Sequence, residues 1–225
     1  LLNGRIEMDE KNLKFKQFLE DENKDEALLF ALELLESGEK NIIDLYQDIL
    51  TPSLNQMECK IDDHHICIWK EHVRTAIIRT IVECCYPYVI KQKKKLDQNL
   101  APVVVVLCPP QEYHDIGARM AADFFTLCGY QVVFVGSDTP YQDFYQAIHS
   151  IEPDVVAISV SNYFNLVSTK RIICELRQAC TKETYIVVGG SAFEGDMEKV
   201  NLVGADAYVK SYQDIERIAR NEVRK

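Results

Sequence analysis

The chain has little of what marks several large protein classes. No run of about 18 apolar residues occurs, so nothing reads as a membrane-spanning helix. The opening, Leu1-Leu2-Asn3-Gly4-Arg5, has neither an initiator Met nor a signal-peptide pattern, and the expected compartment is the cytoplasm. Eight cysteines are present, and none falls in Cys-x-x-Cys spacing, which argues against a zinc ribbon or a thioredoxin-like pair. With no secretion signal they read as free thiols, buried as small hydrophobes. Neither Gly-x-Gly-x-x-Gly nor a Walker loop appears, so a dinucleotide or nucleoside triphosphate is not the default guest. Positive charge is also short. Lys and Arg number 25 against 35 Asp and Glu, a net charge of −10, so this chain is not expected to bind nucleic acid directly.

What is present is ordinary in amount and informative in order. A hydrophobic share of 47% over 225 residues supports a sizeable core in one large domain or two small ones. Apolar residues recur three or four apart over Leu13 to Glu20, Ala27 to Leu35, Ile42 to Leu50 and Trp69 to Ile90, which predicts a small helical bundle. Ser37-Gly38 reads as a stop signal, and Pro87 is expected to kink or end the last helix. The run Lys91 to Asn99 is polar and reads as a linker. Beyond it the period changes. Val103-Val104-Val105-Val106-Leu107 is a β-branched run of the kind buried on both faces. Further strands are expected at Val132 to Val135, Val155 to Ser159, Tyr185 to Val188 and Ala207 to Val209, with a helix after each strand. The reading is therefore α/β: a helical bundle over residues 1–95, then a five-stranded parallel, Rossmann-like (flavodoxin-like) domain over 100–225.

Such sheets bind ligands beyond the carboxyl ends of their strands, at the switch in strand order. If the order is 2-1-3-4-5, three loops converge: Cys108 to Gly117, Ser159 to Asn165, and Gly189 to Phe193. The first contains Glu112-Tyr113-His114-Asp115-Ile116-Gly117. A carboxylate two residues before a histidine can accept one ring proton, fix the tautomer and leave the other nitrogen a better metal donor. Cys108 sits beside this loop with no paired base that would make it a nucleophile.

These segments resemble the cobalamin (vitamin B12)-binding domain family, which carries Asp-x-His-x-x-Gly, Ser-x-Leu and Gly-Gly after strands one, three and four. Here they read Glu112-Tyr113-His114-Asp115-Ile116-Gly117, Ser159-Val160-Ser161 and Gly189-Gly190, followed by Ser191. The flanks Gly129-Tyr130-Gln131-Val132, Gly136-Ser137-Asp138-Thr139-Pro140, Pro153-Asp154-Val155-Val156 and Gly204-Ala205-Asp206 are similar too. The resemblance implies that His114 coordinates cobalt from below, with Glu112 as its partner, and that Ser159, Gly189 and Gly190 line a slot for the nucleotide tail. Asn165 stands where some members carry a Ser that extends the His–carboxylate relay. Tyr163 and Phe164 fit either packing against a corrin ring or the core.

The helical half resembles the four-helix cap that precedes such domains in methyl carriers and in B12-dependent photoreceptor regulators. The similar segments are Leu45 to Leu54 and the pair Glu71-His72. The photoreceptor branch carries a shielding Trp ten residues before that pair, where this chain has Ile61; its single Trp is Trp69. Glu112, Pro109-Pro110 and Gly117-Ala118 pull toward the sensor branch, and Ile61 pulls away from adenosylcobalamin photochemistry. His64 and His65, read as part of a charged loop, offer an upper cobalt ligand, for which His65 is the candidate. The implied function is a cobalamin-binding sensor or regulator acting through a protein partner such as a DNA-binding module, and room is left for a homo-oligomer. The alternatives are a corrinoid carrier serving a partner methyltransferase and a degenerate interaction module. No stand-alone enzyme is expected.

Overall fold

The computed structural model describes residues 10–55, 64–93, 101–180 and 183–220. The chain divides into two compact units, Leu1–Tyr88 and Val89–Lys225. Ile61, with Asp62 and Asp63, lies outside the described residues.

In the first unit, α1 (Glu10–Glu20) and α2 (Lys24–Glu36) are joined by a tight turn in which the Asn23 side chain accepts the Glu26 N–H. Helix α2 ends at Ser37, with Gly38 in the left-handed region (φ 74), the stop expected of Ser-Gly. Next comes one helical stretch in three parts: α3 (Ile42–Asp44), a π-helical turn over Leu45–Leu50, and α4 (Thr51–Asn55). The π turn widens the helix so that Leu45, Tyr46, Ile49 and Leu50 are all buried. Helix α5 (His64–Gln92) carries Ile77, Ile78, Ile81, Val82 and Cys85 into the core. Its buried Arg74 donates to the Leu19 carbonyl at 3.2 Å, near the end of α1.

Two expectations change here. His64 and His65 begin α5 and are not part of a loop. Pro87 lies inside α5, which runs on to Gln92. The proline has no N–H to give, but it sits on the exposed side of the helix, where water substitutes.

The second unit is a five-stranded parallel sheet in the order β2-β1-β3-β4-β5. The strands are β1 (Val103–Leu107), β2 (Gln131–Gly136), β3 (Val155–Ser159), β4 (Tyr185–Gly189) and β5 (Ala207–Tyr208). The connecting helices are α6 (Ile116–Leu127), α7 (Tyr141–Ile151), α8 (Leu166–Ala179) and α9 (Met197–Val203), and α10 (Tyr212–Ala219) follows β5. Strands β1, β3 and β4 are buried because helices cover both faces, which is why they read as unbroken β-branched runs. Asp154 and Asp206 tie neighbouring strand starts together, accepting the Val103 and Ile186 N–H at 2.7 Å each. The recurring Pro-Asp and Ala-Asp segments thus register the sheet.

The cysteines depart from the expectation of free, buried thiols. Cys85, Cys108 and Cys128 are buried thiols outside any disulfide, but Cys84 and Cys174 are exposed, and Cys67 is disulfide-bonded. A thiol on the outer side of a helix has no apolar surroundings to fill, so hydrophobicity alone did not decide its place. No helix among the described residues is long and apolar enough to cross a membrane.

Candidate functional site

The strand order brings the loops after β1 and β3 together at the carboxyl edge of the sheet, and Glu112 joins them. Its side chain is fully buried. Oε1 accepts the His114 backbone N–H at 3.2 Å and faces the His114 ring Nδ1 at 2.8 Å. Oε2 accepts the backbone N–H groups of Ser161 and Asn162, both at 2.9 Å, and the Asn165 amide at 3.1 Å. Burial alone would raise this carboxyl's pKa. The hydrogen bonds from Asn162, His114, Asn165 and Ser161 outweigh burial and hold it below its ordinary value. Glu112 is therefore an anion at neutral pH and can only accept.

This settles the histidine's orientation by chemistry. A carboxylate with no proton requires Nδ1 to donate, and a neutral ring then carries its lone pair on Nε2. The His114 side chain is 65% exposed, and Nε2 has no hydrogen-bond partner among the described residues. The site thus presents one oriented, outward-facing nitrogen donor.

Its surroundings leave room. A β-carbon on Gly117, in the first turn of α6, would meet nothing within 4 Å. Tyr113 is 66% exposed, Tyr163 57% and Phe164 90%, which corrects the core reading of the last two. Neither ring belongs to the buried core, and Lys199 Nζ lies 4.6 Å from the Tyr163 ring centroid. Asp115 and Ile116 are buried at the start of α6.

The glycine pair has a reason of its own. A β-carbon on Gly189 would approach the Val209 carbonyl oxygen to 2.9 Å, and one on Gly190 (φ 97) would overlap the Val160 carbonyl. Both positions need glycine for the chain to pack against itself. Ser159 pairs with Gly189 across β3 and β4, and the Ser191 hydroxyl donates to the Ser161 carbonyl at 3.3 Å.

The structure therefore brings Glu112, His114, Ser161 and Asn165 together, with Gly117 beside them in sequence. His65, Glu71 and His72 are exposed residues of α5 in the helical unit. Sequence reasoning missed Asn162, which acts through its backbone N–H, a contribution no side chain encodes. Cys108 is buried behind the loop, and its thiol is pushed up to about 12 by burial and by the charges of Asp115 and Glu112. It is no nucleophile.

Fold and site together define a class: a doubly wound α/β domain that offers a carboxylate-oriented imidazole in the loop after its first strand. Residues 102–218 match the model of the B12 binding domain, and the chain belongs to that family, with cobalamin as its cofactor. It is 26% identical over 125 residues to trimethylamine corrinoid protein 1 of Methanosarcina acetivorans, covering 55% of this chain and 57% of that protein. It is 25% identical over 183 residues to the HTH-type transcriptional repressor CarA of Myxococcus xanthus, covering 81% of this chain and 59% of that protein. The match thus spans a little over half the length of these curated relatives. The monomethylamine corrinoid protein of Methanosarcina barkeri shares the fold, with a TM-score of 0.79 at 17% identity over 93% of this chain and 97% of that one.

Proposed function

We propose that this chain is a cobalamin-binding sensor or regulatory module in which His114 is the lower axial ligand of cobalt. The observation that carries the reading is the fixed donor: a buried, anionic Glu112 holds Nδ1 and turns Nε2 outward. Bound cobalamin would supply the reactive cobalt–carbon bond. The protein's share is to hold the ring in one tautomer, to anchor Glu112 on Ser161, Asn162 and Asn165, and to leave open space above Gly117. Ser159, Gly189 and Gly190 are assigned to the edge of the nucleotide-tail slot. The output is carried by a protein partner, a DNA-binding module, whose affinity changes with cofactor state. The cytoplasm is the compartment this reading implies.

The regulator is favoured over the carrier by the extent of the sequence match. The match to CarA covers 81% of the chain, more than the sheet unit alone provides, whereas the match to the trimethylamine corrinoid protein covers 55%. The second reading is a methyl carrier serving a partner methyltransferase. It is supported by the names of several relatives and by Ile61 standing where a shielding Trp would be.

Absorption spectra of the protein mixed with methyl-, adenosyl- and hydroxocobalamin, in dark and light, test both. Uptake with a base-off, His-on spectrum that His114→Ala abolishes is the expected result. No uptake of any form overturns the reading. A change of oligomeric state on illumination or cofactor exchange marks the regulator. Loss of the methyl group to a partner methyltransferase, with no such change, marks the carrier.

A further inference from the structure

The loop bearing His114 is held from a further side by residues outside the three motifs. Two of its neighbouring non-glycine residues adopt left-handed backbone, Gln111 (φ 65) and Asp138 (φ 47), a conformation that a β-carbon disfavours. They meet across the loops after β1 and β2. The Gln111 N–H donates to the Asp138 carboxylate at 2.8 Å, and the Asp138 N–H donates to the Glu112 carbonyl at 3.0 Å. Next to them the Thr139 N–H donates to the Cys108 carbonyl at 3.4 Å, and the Asn165 amide reaches the Gln111 carbonyl at 3.4 Å. Left-handed residues persist only where their surroundings over-determine them, and here the two support each other.

We propose that Asp138 is a positioning residue for the cobalt-ligating histidine. Glu112 is a buried side chain on the loop between β1 and α6, and its carboxylate is fixed by the loop after β3. Its main chain is fixed by Asp138. Both ends must be held for Oε1 to stay on the His114 ring. Once the Asp138 acceptor is lost, Gln111 relaxes toward right-handed backbone, and the turn Pro109 to Glu112, closed by a Glu112 N–H to Pro109 carbonyl bond of 3.1 Å, rotates. That rotation moves the Glu112 carboxylate off the ring and frees the imidazole to change tautomer. The proposal rests on the reading of His114 as the cobalt ligand, but the clasp exists in the protein alone.

Three variants separate acceptor from strain. Asp138→Asn keeps an acceptor and tolerates left-handed backbone. Asp138→Gly removes the acceptor while relieving the strain, and Asp138→Ala removes the acceptor and keeps the β-carbon. Two measurements on cofactor-free protein read the clasp: amide hydrogen exchange at Gln111, and the ring nitrogen shifts of His114. A third, cobalamin titration, reads its consequence. Asp138→Asn is expected to match the wild type. Asp138→Gly is expected to stay folded, to exchange the Gln111 amide roughly tenfold faster, to mix the His114 tautomers and to bind cobalamin roughly tenfold more weakly. Wild-type exchange and a single His114 tautomer in Asp138→Gly overturn the proposal, whatever its affinity. If the wild type takes up no cobalamin, the function proposed above fails, while the two cofactor-free readouts still decide the clasp.

Discussion

Replacing Glu112 with Gln changes one atom in the buried centre of the site, and the geometry fixes what must follow. A Gln amide has one oxygen where Glu112 has two. If its NH2 takes the place of Oε2, it faces three donors: the Ser161 and Asn162 N–H groups and the Asn165 amide. If it takes the place of Oε1, it faces the His114 backbone N–H and ring. The second orientation is less costly, because the ring can answer by moving its proton from Nδ1 to Nε2. That leaves one backbone N–H opposed and removes charge from the remaining bonds. At about 1–3 kcal/mol for an unsatisfied N–H, and a similar amount for the lost charge assistance, Glu112→Gln should cost about 2–6 kcal/mol of stability at neutral pH. Its pH dependence has a definite sign. The folded carboxyl lies below 4.5, so the wild type's advantage is complete above that value and shrinks as pH falls through the lowered folded value. Denaturant unfolding of cofactor-free protein measures the gap, and titration with hydroxocobalamin measures the consequence, since a ring protonated on Nε2 has no lone pair to offer there. A variant that unfolds at the wild-type midpoint and still gives a His-on spectrum of wild-type affinity would refute the argument.

The two kinds of glycine should respond in opposite ways. Gly190→Ala, with its β-carbon overlapping the Val160 carbonyl at φ 97, is expected to destabilise the protein by about 3 kcal/mol or more in a thermal melt. Gly117→Ala meets nothing within 4 Å and lies in a helix, so its melt should shift by no more than about 1 kcal/mol, in the stabilising direction, while cobalamin binding weakens. Thiol labelling at about pH 8, read by mass spectrometry, should modify exposed Cys84 and Cys174 first. Cys108, buried and with its thiol pushed up to about 12, should react only on unfolding.

Much of this was legible in the sequence because the forces involved are local or periodic. The Val103 to Leu107 run announces a strand covered on both faces, and the five expected strands all form, in the order that makes the three loops converge. A helix follows each of the five strands, as expected. Glu112 and His114 were readable because their contact spans two residues. Asn165, singled out by the resemblance, bonds Glu112 through its side-chain amide. What escaped depends on groups that every residue carries or on meetings between distant loops. Asn162 contributes a backbone N–H group, so its side chain gave no sign of this role. The clasp between Gln111 and Asp138 needs two non-glycine residues in a glycine-like conformation 27 positions apart. The outward turn of Phe164 and the continuation of α5 through Pro87 were set by which side of the chain faces water.

The overlap waiting at Gly190 sorts the letters of the motif into two alphabets. Gly189 and Gly190 are spelled by the fold, so a descendant that had lost its cofactor would have to keep them to stay folded. On the function proposed above, His114 and Gly117 are spelled by the guest: the exposed ring supports only the Glu112 carboxylate and the space at Gly117 is open, so both could drift at small structural cost. When other sequences of this kind are sorted into working and abandoned cobalamin domains, the glycine pair will therefore be silent. The histidine, with the carboxylate that aims it, is the pair of letters to consult.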